Sequence, residues 1–126
     1  MKCPVCQQAL VQAGRTWMCG GCDGAWVESE VLVPLLEQAA STLVELAWQP
    51  SGEHHARACP ECATAMQTVK LGTVALDRCE SHGVWFDATE LAALLGQARK
   101  FRAEARHQDL FERLVRVFEH KTSAGG

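Results

Sequence analysis

The chain has 126 residues, 48% of them hydrophobic and 21% charged, with a formal net charge of −3. No apolar run approaches the roughly 18 residues of a membrane span. No apolar segment follows Met1 and Lys2 to make a secretory signal, so a reducing, cytoplasmic setting is expected. Charge is uneven: residues 1–96 carry 5 Lys/Arg against 11 Asp/Glu, and residues 97–126 carry 7 against 4. The acidic larger part argues against a surface that tracks phosphates.

In chain order, the first element is the pair Cys3-Pro4-Val5-Cys6. Ala9–Ala13 and Arg15–Met18 flank Gly14 and read as a β-hairpin, which returns the chain to a second pair, Cys19-Gly20-Gly21-Cys22. Gly20, Gly21 and Gly24 are expected to let this turn close around the sulfurs. After Trp26 the period becomes helical, with Val31, Leu32, Leu35, Leu36, Ala39, Leu43, Val44 and Ala47 on one face. Pro34 is awkward inside a helix, so a short turn is expected first, with the main helix from near Val33. Pro50-Ser51-Gly52 ends it. Residues 50–57 form the linker, with His54 and His55 expected in solvent.

The second half repeats the first. Cys59-Pro60-Glu61-Cys62 precedes a hairpin of Met66–Leu71 and Thr73–Arg78 around Gly72, where Val69, Leu71, Val74 and Leu76 alternate with polar residues. Cys79-Glu80-Ser81-His82 follows. Gly83-Val84-Trp85-Phe86-Asp87 then echoes Gly24-Ala25-Trp26-Val27-Glu28, a duplication with its copies roughly 60 residues apart. Asp87 and Glu90 have capping-box spacing. Leu91, Leu94, Leu95, Ala98 and Phe101 continue a helical face that Gly96 bends or breaks. Trp26 and Trp85 are expected to pack each helix onto its hairpin, and Trp17 and Trp48 to join the core. A last helix is expected over 105–120, with Leu110, Phe111, Leu114, Val117 and Phe118 apolar, before a frayed tail.

The seven cysteines cannot close a disulfide set, and His82 stands where an eighth would complete the pattern. Two cysteines with two residues between them can face one ion across a tight turn, and each hairpin brings two such turns together. The expected ligands are Cys3, Cys6, Cys19 and Cys22 in one site and Cys59, Cys62, Cys79 and His82 in the other. Four protein donors leave no position for water or substrate, so two structural zinc ions are expected, without catalysis. Iron in the four-cysteine site is the minor alternative. The expected fold is a small metal-stabilised α+β arrangement of two tandem zinc ribbons, each followed by a helix, plus a C-terminal helical extension. Its divisions are ribbon 1 with its helix at 1–49, a linker at 50–57, ribbon 2 with its helix at 58–104, and the C-terminal helix and tail at 105–126.

Cys22-Asp-Gly-Ala-Trp26-Val-Glu28 and His82-Gly-Val-Trp85-Phe-Asp87-Ala-Thr-Glu90-Leu91, together with the Cys-Pro-x-Cys pairs, resemble the bacterial zinc ribbons described as transcription factor IIB-type zinc fingers. The resemblance covers about residues 1–37 and 57–96. It implies zinc binding, a ribbon hairpin and a short helix, and its name implies a role in transcription. Thr89 stands where that family usually has glycine, Glu28 replaces an aspartate, and His82 replaces a cysteine.

The residues themselves favour a non-enzymatic adaptor that presents surfaces to a protein partner. The alternative is nucleic-acid binding through Arg99, Lys100, Arg102 and Arg106. The default reading of these residues is a solvated face; contact with nucleic acid or an acidic protein surface is the sharper one, and contact with the acidic first helix a third. A redox- or zinc-responsive switch is the third reading. A homo-oligomer formed through the helices is a further option.

Overall fold

Alternating strands in the second hairpin and two short, mainly apolar central strands join in a single antiparallel sheet that runs through both halves. The computed structural model describes residues 1–103. The helix expected over 105–120, and Arg106, lie outside the described residues. The strands are β1 (Val11–Ala13), β2 (Thr16–Met18), β3 (Ala25–Glu28), β4 (Gln49–Pro50), β5 (Gln67–Leu71), β6 (Val74–Cys79) and β7 (Gly83–Phe86). Their order across the sheet is β1-β2-β3-β7-β6-β5-β4. Gly14 and Gly72 take the two hairpin tips at φ 61°, in the left-handed region that a tight turn requires.

The third strand of each half was not foreseen, since helix was expected directly after each tryptophan's segment. β3 and β7 pair with one another at the centre: Ala25 opposes Phe86, Trp26 opposes Trp85, Val27 opposes Val84 and Glu28 opposes Gly83. The repeat makes Ala25 equivalent to Val84 and Val27 to Phe86, so this register is its own mirror under a local two-fold. The duplication is thus packed as an internal dimer.

Two glycines allow that approach. A Cβ on Gly83 would lie 2.4 Å from the Val27 carbonyl oxygen, and one on Gly24 would lie 2.2 Å from the Trp85 ring. Gly24 is therefore required by the facing tryptophan, where closure around sulfur was expected.

The period of two sends alternate residues of β3 and β7 to opposite faces. Ala25, Val27, Val84 and Phe86 join Leu32, Leu36, Leu76, Leu94 and Phe101 in a core beneath the helices. Trp26 and Trp85 go the other way, into a second core with Leu10, Met66, Cys3, Cys19 and Cys59. The expectation that the tryptophans hold the helices down is corrected by this alternation: Val27 and Phe86, one residue further on, face the helices instead.

Helix α1 spans Ser29–Ala40. It begins before Pro34, which lies inside it, and so starts earlier than expected. Proline there removes one ladder bond, but the buried Leu32 and Leu36 hold the segment in place. The helix ends at Ser41, which adopts φ 56°, well short of the expected Pro50. Residues 43–45 instead run beside 101–103, with Glu45 N–H donating to the Phe101 carbonyl and Ala103 N–H to the Leu43 carbonyl. Helix α2 spans Glu90–Gly96, and a 3-10 turn follows over Ala98–Phe101. Trp48 lies outside any helix and stacks under Arg78, whose guanidinium is 4.8 Å from the ring centroid.

Candidate metal centres

Each cysteine pair sits on a turn whose first carbonyl accepts a backbone N–H from just past the second ligand. Gln7 donates to Cys3, Asp23 to Cys19 and Ala63 to Cys59 at 2.9–3.0 Å. Gln7, Asp23 and Ala63 take φ of 66°, 61° and 61°. The fourth turn is tighter: His82 N–H itself donates to the Cys79 carbonyl at 3.1 Å, because β7 begins immediately at Gly83.

These turns bring the predicted ligands together. The donor atoms of Cys3, Cys6, Cys19 and Cys22 all lie within 4.8 Å of one another, as do those of Cys59, Cys62, Cys79 and His82. Sulfur separations are 3.4 Å for Cys3–Cys22, 3.4 Å for Cys6–Cys19 and 3.8 Å for Cys62–Cys79. His82 turns Nδ1 to the cluster, 3.4 Å from Cys79 Sγ and 3.9 Å from Cys59 Sγ. A tetrahedron with Zn–S bonds of about 2.3 Å has S···S edges of about 3.8 Å, and S···N edges slightly shorter. The donor sets therefore fit zinc in type, number and spacing.

The sulfurs are supported from the backbone. Val5 and Cys6 N–H groups donate to Cys3 Sγ at 3.3 and 3.4 Å, and Glu61 N–H donates to Cys59 Sγ at 3.3 Å. Such donors spread thiolate charge. Left to themselves, the crowded thiols divide. Burial pushes Cys22 and Cys59 up to about 12. The Cys22 backbone N–H draws Cys19 down to about 7, and the Thr64 side chain draws Cys62 down to about 6. Four sulfurs this close cannot all be anions without a cation between them, which is what a divalent ion supplies.

Beside the second centre lies a polar cluster that the sequence reading missed. Asp77 is only 2% exposed. It accepts from His55 Nδ1 at 2.9 Å, Thr68 Oγ1 at 3.0 Å and Arg57 Nη1 at 3.0 Å. Arg57 also donates to both oxygens of Asp87 at 2.8 Å, and Trp85 Nε1 donates to Asp87 Oδ1 at 3.1 Å. His55 is therefore tied to the sheet, contrary to the solvated linker expected. The one signal in the sequence was an acid between the apolar Leu76 and the ligand Cys79, on a strand that the pattern otherwise buries. The capping box is half formed. Glu90 Oε1 accepts the Asp87 N–H, but the Asp87 carboxylate is committed to Arg57 and Trp85.

Hairpins closed by paired ligand turns, each donor set suited to one tetrahedral ion, define two tandem zinc ribbons. Comparison with known families agrees for the second copy: residues 58–97 match the family described as transcription factor zinc-finger, of the TFIIB zinc-ribbon type. No curated protein and no solved structure matches the chain. No helix among the described residues is long and apolar enough to cross a membrane.

Proposed function

We propose that this protein is a non-enzymatic, cytoplasmic adaptor whose zinc ribbons are a rigid mount for a protein-binding surface. The observation that carries this reading is the completeness of both donor sets, with four protein ligands apiece. A zinc ion with four protein ligands organises a fold and has no position left to activate water. What then faces a partner is the outer surface. Among the described residues, Met1, Val5, Val11 and Leu43 are the exposed large apolar side chains, and residues 1–96 are acidic on balance.

The test is capture of partners from lysate on the zinc-loaded chain, with and without nuclease, beside a Val5→Glu, Val11→Glu variant. Nuclease-resistant partners that the variant loses would support the proposal. Loss of every partner on nuclease treatment would refute it and favour nucleic acid. That second reading is supported by Arg99, Lys100 and Arg102, all exposed on and beside the 3-10 turn, and by the name of the matched family. It predicts binding that weakens steeply with salt.

A further inference from the structure

We propose that the two metal sites load as one cooperative unit, so that a chain holding a single zinc ion is scarce at equilibrium. The reason is the seam between β3 and β7, which carries each site's supports into the other ribbon.

Cys22 is followed by Trp26, whose indole N–H donates at 2.9 Å to Glu61 Oε2, within the Cys59–Cys62 turn of the other site. His82, a ligand of the second site, accepts on its carbonyl the backbone N–H of Ser29 at 2.9 Å. Ser29 opens α1, the helix that follows the first ribbon. The glycines interlock in the same way: Gly24 makes room for Trp85, and Gly83 makes room for Trp26 and for the Val27 carbonyl. Cys3 and Cys19 of one site and Cys59 of the other, with both indoles, share one apolar cluster. No ligand turn can be withdrawn without exposing that cluster.

Structural zinc supplies binding energy comparable with the whole stability of a small domain. A chain with one empty site must either leave that ribbon unformed, stripping the occupied ribbon of β-pairing and indole packing, or order both ribbons with the energy of one ion. In either case the first ion bears a penalty that the second does not. That difference is a coupling between the sites, and it is reciprocal. The consequence is a steep response: the assembled surface forms and is lost over a narrow range of free zinc. This conclusion does not depend on which partner that surface meets.

The experiment uses the full chain in zinc-buffered solution, with native mass spectrometry counting chains that hold zero, one or two ions. For independent sites, whatever their separate affinities, the one-zinc share at a mean loading of one is at least about half. A tenfold coupling between equal sites lowers it to about a quarter, and couplings of roughly 5- to 150-fold are typical. A share clearly below half is the expected result, and a share of half or more overturns the proposal. In the variant Gly83→Ala the added Cβ meets the Val27 carbonyl oxygen across the seam. The share should then rise to half or above, whereas a share equal to that of the original chain would refute the assignment to the seam.

Discussion

Replacing Thr89 by glycine should make this protein more stable. Thr89 immediately precedes α2 and adopts φ 73°, ψ −16°, a left-handed conformation that is rare for a β-branched residue. Holding an L side chain there costs about 1–2 kcal/mol. Its side chain makes no capping hydrogen bond and is exposed, so truncation sacrifices no packing. Against the gain stands the greater entropy that glycine gives the unfolded chain, about 0.5–1 kcal/mol. The net expectation is a stabilisation of about 0.5–1 kcal/mol, or roughly 2–4 °C in Tm for a chain of this size. The assay is thermal unfolding of both chains with zinc in fixed excess, followed by circular dichroism. A Thr89→Ala control keeps the Cβ and should recover little of the gain. Equal or lower stability for Thr89→Gly would refute the argument that backbone strain is stored at this helix start.

Three further outcomes are expected. Chelation should release about two equivalents of zinc per chain and abolish sheet and near-ultraviolet signals together, and a metal-free chain that keeps both would be inconsistent with metal-dependent folding. His82→Ala should remove one donor and sharply weaken the second site. His82→Cys should retain two ions, because the sulfur continues a tetrahedral set; elemental analysis after dialysis separates the two. Glu90 is the pH-dependent case. Burial, then the nearby charges of Asp87 and Asp77, hold its carboxyl above the usual range, although the Asp87 N–H opposes this. A raised folded value means that its proton favours folding: the contribution is present below the unfolded value and is lost as pH rises through the folded one. Glu90→Gln keeps the acceptor for the Asp87 N–H. It should therefore be neutral or stabilising at pH 7 by urea denaturation, and a clear destabilisation would contradict the sign.

The ligand residues were legible because metal binding is a local problem in chemistry. Donor type and a spacing of two intervening residues decide whether a turn can hold an ion, and both are written along the chain. The hairpins were legible for a similar reason, since glycine at each tip and alternation on each strand need no distant partner. Asp77 was not legible as a buried charge. Its partners His55 and Arg57 come from a stretch that reads as linker by composition, and only the fold lays that stretch against the sheet. The end of α1 was missed because Leu43, Val44 and Ala47 continue a helical period, yet backbone pairing with residues 101–103 outcompetes the helix there.

The sequence by itself determined that there are two copies of one unit, which residues would surround each ion, and that zinc suits them. Tertiary structure alone decided how the copies meet. Short strands with apolar residues on both sides can be buried in more than one register, and nothing local chooses between them. The choice falls to shape across the seam: Gly24 and Gly83 let two tryptophans lie opposite one another where any larger residue would hold the strands apart.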